Sequence, residues 1–169
     1  MNRDVEIVVI DGKRRFGNNL SFPAGPLRES LKRLDSVDFI VNNSGPTEDG
    51  EHLMNVSPAK FIHLKSGKSY SVEDWPMHKQ VHAVAGVGNP NRFFDLLSRL
   101  GFEFDKSPFP DHHKYNKRDL YFLDHLPILM TEKDAAKCKH FNNSKIWYLS
   151  IEAKIESQFI DRLEEKIND

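Results

Sequence analysis

The sequence predicts an α/β fold: a mostly parallel sheet flanked by helices, with a small antiparallel β insertion. Three observations carry this prediction. Short β-branched runs recur along the chain, as in parallel strands buried on both faces. One of these runs is followed by a glycine turn and a helical apolar pattern. Residues 52–64 and 69–72 instead alternate between apolar and polar side chains with a period near two, which is typical of an antiparallel hairpin.

The first strand is predicted at residues 7–10, an unbroken β-branched run. Such a strand normally has neighbours on both sides. Because it follows almost directly on Met1, we expect that an amino-terminal part is missing and that the orphaned edge causes poor solubility or pairing with a partner. Asp11 ends this strand, where a carboxylate often holds magnesium in nucleotide-binding folds. A turn aspartate before Gly12 is an equally good interpretation.

A long loop follows from Lys13 to Arg28. Its length favours a functional loop, and four basic side chains are candidates to contact phosphates: Lys13, Arg14, Arg15 and Arg28. Taken alone, a solvated basic loop is the better interpretation. A helix is predicted to begin at Pro26 and to continue through Leu34. A second short strand is predicted at residues 37–41.

The antiparallel insertion is predicted after a turn-rich segment, residues 42–50. Residues 52–64 and 69–72 supply its two alternating stretches. Because Pro58 interrupts the first stretch, that stretch is predicted to form two pieces or an edge strand.

A β-α-β unit is predicted next. The apolar run at residues 81–87 is a strand, Asn89 caps the following helix and Pro90 occupies its first turn. The apolar face of that helix consists of Phe93, Phe94, Leu96, Leu97 and Leu100. Ligands of open α/β sheets bind at the carboxyl edge of such strands, although residues 86–90 alone are better interpreted as a plain strand-to-helix turn than as an anion site.

The best local candidate for chemistry is the proline-rich loop at residues 107–115, which presents Asp111, His112 and His113. A histidine beside a carboxylate transfers protons or binds a metal. Because no third ligand is evident, a metal site is disfavoured. A polar loop with one packed histidine has about equal weight as an interpretation.

The remaining elements are predicted in sequence. Asn116 caps a helix whose apolar residues are Leu120, Phe122 and Leu123. A buried strand at residues 127–130 ends at Thr131, which resembles a helix cap. Cys138 is expected to be packed rather than reactive. The last strand covers residues 146–149, and the closing helix has an apolar face formed by Ile155, Phe159, Leu163 and Ile167.

The composition excludes several classes of protein. The 24 basic and 25 acidic residues of the 169-residue chain give no electrostatic case for nucleic acid as the main partner. The single cysteine excludes an internal disulfide and a cysteine-based zinc cluster. No apolar run is long enough to span a membrane and no signal peptide opens the chain, so any membrane contact would be interfacial or come from a missing part.

Five segments, taken together and in this order, resemble the tetraacyldisaccharide 4'-kinases of lipid A biosynthesis: RDVEIVVIDGKRRFGN, PAGPLRES, VHAVAGVGNPNRFFDLLSRLGFE, FPDHHKY and PILMTEKDAAKC. They cover nearly the whole chain but only about the carboxyl-terminal half of the family. The resemblance implies a P-loop kinase-like fold in two lobes with a β-hairpin lid, here without the amino-terminal P-loop part.

The resemblance also implies an activity. The family transfers a phosphoryl group from ATP, with Mg²⁺, to the 4'-hydroxyl of a lipid disaccharide monophosphate. The product is lipid IVA, formed on the cytoplasmic face of the inner membrane of Gram-negative bacteria. The family's histidine that pairs with a catalytic aspartate matches His112, or His113 if the register is shifted by one, and Asp111 lies beside it.

Further site residues follow from the same resemblance. Arg28 and Glu29 would face phosphate and nucleotide near the lid, and Arg15 is a further candidate for phosphate. The assignment of Asp11 as the metal ligand rests on its position at the end of a strand. The implied organisation has three parts: residues 1–42 end the amino-terminal kinase lobe, residues 43–80 form the hairpin lid and linker, and residues 81–169 form the carboxyl-terminal lobe.

Three family features do not occur in this sequence: a membrane-associated amino-terminal helix, a glycine-rich Walker loop ending in Lys-Thr, and an Asp-Asp-Gly segment with the catalytic aspartate. We therefore expect a fragment, soluble in the cytoplasm, that folds at least in part but does not phosphorylate lipid alone. A mis-called start or a separate chain would account for the missing half. The alternative function is a non-catalytic binding module for an acidic ligand or a partner chain.

Overall fold

The computed structural model describes residues 4–168. The chain divides into two compact units. Unit 1 comprises Met1–Ser57 and Glu152–Asp169, and unit 2 comprises Pro58–Ile151. The predicted α/β class with mostly parallel strands is confirmed. The division into three parts at residues 42 and 80 stays a prediction.

The described residues of unit 1 form a parallel sheet, one α-helix and a short 3-10 helix. Strand β1 (Ile7–Asp11) pairs in parallel with β2 (Phe39–Asn43), which pairs in parallel with the first part of β3 (Glu51–His63). Helix α3 (Ser157–Asn168) packs its Phe159 ring edge-on against Phe39, with the ring centroids 5.3 Å apart. These rings form the centre of the unit 1 core.

Strand β1 is less buried than its composition predicts. Ile10 is buried, but Ile7 is 43% and Val9 is 59% exposed. Within residues 4–168, β1 pairs only with β2, and the face that carries Ile7 and Val9 has no complete covering layer. The prediction of a strand buried on both faces is therefore wrong for β1. Ile167, predicted for the buried face of α3, is also exposed.

The helix predicted from Pro26 does not form, because the chain between β1 and β2 pairs with itself. The Phe22 N–H donates to the Leu27 carbonyl at 2.7 Å, and the Leu27 N–H donates to the Leu20 carbonyl at 3.2 Å. These bonds hold Leu27 in a parallel bridge with Ser21, which is incompatible with a helical turn at that point. Only a short 3-10 helix follows, at Leu31–Ser36.

The parallel strands of unit 2 are β5 (Gln80–Ala85), β6 (Glu103–Pro108), β7 (Ile128–Thr131) and the start of β8 (Ile146–Ile155). Strand β5 is central, because it pairs with β6 on one side and with β7 on the other. Strand β7 in turn pairs in parallel with the start of β8. Because alternate residues of β5 enter different core clusters, with Ala83 in one and Val84 in the other, its predicted burial on both faces is confirmed.

The β-α-β unit is confirmed. Helix α1 (Pro90–Arg99) joins β5 to β6, Pro90 opens it, and the Asn89 side chain accepts the Arg92 N–H at 3.4 Å. The helix α2 (Glu132–Cys138) begins after β7, where the Thr131 side chain accepts the Asp134 N–H at 3.2 Å as predicted.

The predicted antiparallel hairpin forms, but Pro58 does not interrupt its first strand. The second part of β3 pairs antiparallel with β4 (Ser69–Ser71), so the antiparallel hairpin is confirmed. Strand β3 is nevertheless continuous through Pro58, because that residue lies between the stretch paired with β2 and the stretch paired with β4. The prediction of two pieces is wrong.

The helix predicted from Asn116 is also wrong. The Asn116 N–H and Nδ2 both donate to Asp119 Oδ2, at 2.9 and 2.8 Å, and the Asn116 Oδ1 accepts the Arg118 N–H. Such local side-chain bonds compete with the helical hydrogen bonds, so the segment forms turns. None of the helices in residues 4–168 has the length and apolar character that crossing a bilayer requires.

Candidate active site

Asp11 lies at the carboxyl end of β1 and organises the turn that follows it. Its Oδ1 accepts the backbone N–H groups of Lys13 and Arg14, each at 3.0 Å. This geometry gives Asp11 the local role of a turn aspartate. Its predicted role as a metal ligand stays a prediction.

Arg15 is engaged by two carboxylates of unit 1. Its guanidinium meets the Glu51 carboxylate at 3.0 and 2.8 Å, in a two-point pair, and Glu48 Oε1 at 2.9 Å. The Glu51 side chain is only 5% exposed and also accepts from Asn42 Nδ2 at 2.8 Å. The bond from Arg15 lowers the pKa of Glu51 to about 2, against the opposing effect of burial. The charge of Arg15 is thus balanced within the fold.

Arg28 and Glu29 follow the self-paired loop, and both are exposed. The Glu29 carboxylate lies 3.3 Å from Arg33 Nε, and Arg33 also bonds to Glu6. In the described part of the chain, Arg28 makes no side-chain hydrogen bond or ion pair. Of the two arginines that the family resemblance assigns to phosphate, the available one is therefore Arg28 rather than Arg15.

In unit 2, Asp111 and His112 lie together in the loop that follows β6. The Asp111 carboxylate accepts from Lys133 Nζ and from the His112 N–H, each at 2.9 Å. The Lys133 ammonium is the main reason that the pKa of Asp111 is lowered. The His112 side chain is 80% exposed, with Nε2 3.7 Å from Asp111 Oδ2. The arrangement presents an accessible imidazole beside an ionised carboxylate.

His113 has a different environment. Its Nε2 is 2.9 Å from Asp119 Oδ2, and its ring stacks on Phe109 with the centroids 4.5 Å apart. The Tyr115 ring meets it edge-on. The loop therefore contains one packed histidine and one exposed histidine, and His112 is the one that a ligand can reach.

The buried carboxylate of Asp134 lies beneath the loop at residues 107–115. Asp134 is fully buried; its Oδ2 accepts from the Gly86 N–H at 2.9 Å and from Thr131 Oγ1 at 2.7 Å, and its Oδ1 meets Lys137 Nζ at 2.9 Å. A Cβ on Gly86 would lie only 2.7 Å from the Tyr115 hydroxyl. Burial, followed by the nearby Asp134 charge, raises the pKa of Tyr115. The end of β5, the start of α2 and the loop at residues 107–115 are therefore packed against one another as one cluster.

Two further histidines belong to the interior of their units. His52 Nδ1 is 2.7 Å from Glu156 Oε1, and His82 Nε2 is 2.9 Å from Asp124 Oδ2. The His82 ring stacks on Phe122 at 3.7 Å. Each histidine is buried and bonded within its own unit, which indicates a structural role.

The chemistry available at Asp111 and His112 is proton transfer. An exposed imidazole with an adjacent carboxylate has the groups that general acid–base catalysis needs. Within residues 4–168, no group of three or more His, Cys, Asp or Glu side chains is arranged to hold a metal ion. Mg²⁺ commonly takes only one or two protein carboxylates and completes its shell with phosphates and water, so the single carboxylate of Asp11 has suitable donor chemistry.

Comparison with known proteins decides the family. The model of the family Tetraacyldisaccharide-1-P 4'-kinase, LpxK, matches residues 1–168. The chain belongs to this family. The earlier resemblance is thus confirmed.

Members of the LpxK family align along nearly the whole chain. A tetraacyldisaccharide 4'-kinase of Ruthia magnifica is 47% identical over 167 residues, covering 99% of this chain and 52% of the relative. One from Legionella pneumophila strain Corby is 45% identical over 159 residues, covering 94% and 48%. The chain therefore spans about half the length of the curated relatives that it matches.

A crystal structure of LpxK from Aquifex aeolicus in complex with ATP has the same fold over the matched part. The TM-score is 0.72 at 22% identity, and the match covers 99% of this chain and 52% of that one. This agreement confirms the P-loop kinase-like fold class.

Several partners of the candidate residues were not found from the sequence. Lys133 lies 22 residues from Asp111, and Glu51 lies 36 residues from Arg15, so no local pattern links either pair. The Asp134–Lys137 pair has helical i,i+3 spacing, which was a usable signal. The predicted role of Thr131 as a helix cap is confirmed.

Proposed function

We propose that this chain forms part of an ATP-dependent kinase that phosphorylates the 4'-hydroxyl of a tetraacyldisaccharide 1-phosphate, the lipid A precursor, to give lipid IVA. The observation that carries the proposal is the family match over residues 1–168 together with 47% identity to a protein of that name. The ATP complex of the Aquifex aeolicus protein supports ATP as the phosphoryl donor. The proposed location is the cytoplasmic face of the inner membrane, where the lipid substrate lies.

The proposed contribution of unit 2 is the proton-transferring histidine. Phosphoryl transfer depends mainly on positioning and charge stabilisation, with a group that accepts or relays the proton of the attacking hydroxyl. His112 suits this role because its imidazole is exposed and lies 3.7 Å from the Asp111 carboxylate. Lys133 keeps Asp111 ionised and in place. His113 is committed to Asp119 and remains the less suitable candidate.

The proposed contribution of unit 1 is contact with phosphate and metal. Arg28 offers an exposed guanidinium without a partner in residues 4–168, and guanidinium groups bind phosphate at two points. Asp11 would be the protein ligand of Mg²⁺, which when bound neutralises charge on the transferred phosphate. Glu29 would face the nucleotide, and Arg15 would stabilise the loop through Glu51.

The proposed function also requires the half of the relatives that this chain does not span. The test is a chimera that joins the amino-terminal half of the Ruthia magnifica relative to this chain, assayed with labelled ATP and the disaccharide lipid. We expect transfer by the chimera and none by the chain alone. A chimera that is folded by circular dichroism yet transfers no phosphate would contradict the proposed kinase function. Turnover by the chain alone would contradict the need for the other half.

A further inference from the structure

The exposed histidine of unit 2 has an unusual backbone conformation. His112 has a φ of 61°, which lies in the left-handed region. The His113 N–H donates to the Pro110 carbonyl at 3.1 Å, so His112 occupies the third position of a closed four-residue turn. The left-handed region costs free energy for a residue that has a Cβ, and such a residue stays there only when its surroundings hold it. The contacts on the two sides of His112 therefore determine where its imidazole lies.

The amino-terminal side of the turn is tied to neighbouring elements. The Phe109 N–H donates to the Ala85 carbonyl at 2.8 Å, at the end of β5. The Asp111 carboxylate accepts the His112 N–H and Lys133 Nζ, each at 2.9 Å. These bonds fix the direction from which the chain enters the turn, but they leave the residue after His112 to be held by other contacts.

The carboxyl-terminal side of the turn is held by the Asp119 carboxylate. Three donors converge on its Oδ2: His113 Nε2 at 2.9 Å, the Asn116 N–H at 2.9 Å and Asn116 Nδ2 at 2.8 Å. Burial alone would raise the pKa of Asp119, but the bonds from His113 and Asn116 outweigh burial and the pKa is lowered. Because an ionised carboxylate only accepts hydrogen bonds, Nε2 of His113 carries the proton of this bond.

The His113 ring is also held by two aromatic neighbours. It stacks on Phe109 with the centroids 4.5 Å apart, and Tyr115 meets it edge-on at 4.9 Å. The ring cannot turn away from Asp119 without leaving both contacts. Since the N–H of the same residue closes the turn, Asp119 holds the backbone around His112 through one intermediate residue.

We propose that Asp119 is a positioning residue for the exposed histidine. Acting through His113, it keeps the turn closed, holds His112 in the left-handed conformation and so presents the His112 imidazole to the reacting hydroxyl. The catalytic consequence rests on the proposed kinase function, in which a displacement of about 1 Å can cost about a hundredfold in rate. The conformational consequence does not rest on that function and is measurable in the chain alone.

Asp124 provides a matched control in the same segment of unit 2. Its Oδ2 lies 2.9 Å from Nε2 of His82, and its Oδ1 accepts the Leu126 N–H at 3.0 Å. Both carboxylates thus pair with the Nε2 of a histidine and with a nearby backbone N–H. The histidine that Asp124 holds lies in β5, however, and not in the turn at residues 110–113.

The test measures the intraresidue cross-peak between the amide proton and the Hα of His112, in nuclear Overhauser spectra of the whole chain. These two protons are closest in the left-handed conformation, so the wild type should give an intense cross-peak. Asp119→Ala removes all three bonds and should weaken the cross-peak at least about twofold, because the strained conformation is no longer held. Asp119→Asn keeps an accepting oxygen without the charge and should give an intermediate intensity. Asp124→Ala should leave the intensity unchanged.

Each variant is compared at a temperature at which circular dichroism shows it to be folded. An unchanged His112 cross-peak in Asp119→Ala overturns the proposal. An equal loss in Asp124→Ala also overturns it, because the effect would then be a general loosening of the segment. If Asp119→Ala does not fold, Asp119→Asn decides: a reduced cross-peak supports the proposal, and the wild-type intensity overturns it.

The second measurement uses the active chimera. Asp119→Ala should lower kcat by about tenfold to a hundredfold and leave the KM for ATP unchanged, whereas Asp124→Ala should keep the kcat of the parent. A purely structural role would leave kcat unchanged in the folded variant, and that result overturns the proposal. An inactive parent chimera contradicts the proposed kinase function instead, and the His112 cross-peak still decides the role of Asp119.

Discussion

The two units each place a carboxylate where a parallel strand gives way to a loop, and the two carboxylates are held differently. In unit 1, Asp11 is bonded by backbone N–H groups of its own turn. In unit 2, Asp111 is bonded by Lys133 from a distant helix and leaves His112 exposed. The difference teaches that local sequence determines where a charged side chain lies along the chain, whereas residues from other elements determine whether it is available to a ligand.

Among the changes in stability predicted here, removal of the buried Asp134 carboxylate of unit 2 should have the largest effect. Asp134→Ala leaves Lys137 and the Gly86 N–H without their shared partner, which should lower the free energy of unfolding by about 3–5 kcal/mol. Both tryptophans, Trp75 and Trp147, lie in unit 2, so urea unfolding followed by fluorescence reports this unit. Glu132→Gln, an exposed change in the same helix, should cost less than about 1 kcal/mol. An unchanged urea midpoint for Asp134→Ala would contradict the conclusion that Asp134 holds the end of β5, the start of α2 and the loop at residues 107–115 together.

The buried ion pair of unit 1 should give the next effect, and it depends on pH. The pKa of Glu51 falls from 4.5 to about 2 in the folded chain. Its contribution, about 3 kcal/mol, is therefore present above pH 4.5 and is lost as the pH falls towards 2. Glu51→Gln should flatten this acid dependence, measured by hydrogen exchange of the β2 amides. Equal acid dependence in the two proteins would show that the pair does not stabilise unit 1.

The close approach at the end of β5 should give a smaller, coupled effect. Gly86→Ala places a Cβ 2.7 Å from the Tyr115 hydroxyl and should cost about 1–3 kcal/mol. In a Tyr115→Phe background that oxygen is gone, so the cost should fall. Some cost should remain, because Asp134 Oδ1 and the Pro110 carbonyl would each lie 3.3 Å away. Strictly additive effects in this double-mutant cycle would contradict the contact.

The sequence predicted the parts of the fold that depend on local patterns. The β5–α1–β6 unit was found because its glycine turn, its Asn89 cap and its apolar runs are contiguous. The helices expected at Pro26 and Asn116 failed because bonds to Leu20 and Asp119 satisfy those segments in another way. Propensity alone does not include such competing partners.

The candidate site was predicted to a similar extent. The Asp111–His112–His113 loop was found from its residues, but the sequence did not show which histidine is exposed. That choice depends on Asp119 and Phe109 packing against His113. Likewise, the pairing of Arg15 with Glu51 spans 36 residues, and the local pattern of a single sequence offers no signal for it.

The smallest expected effect concerns Cys138. Burial raises the pKa of its thiol to about 12, so little thiolate forms near neutral pH. At pH 8 the Cys138 thiol of the native chain should react far more slowly with a thiol reagent than the same thiol in the chain unfolded by urea. The comparison needs no substitution, so it does not alter the free energy of unfolding. Rapid labelling of the native chain would show that α2 does not protect this thiol.

The most direct measurement compares the two neighbouring histidines in the active chimera. His112→Ala should lower kcat for phosphoryl transfer by about 10²- to 10⁴-fold while leaving the unfolding midpoint unchanged, because its ring is exposed. His113→Ala should instead lower the unfolding midpoint, because it removes the bond to Asp119. A His112→Ala chimera with the kcat of the parent would contradict the assignment of the exposed imidazole to proton transfer.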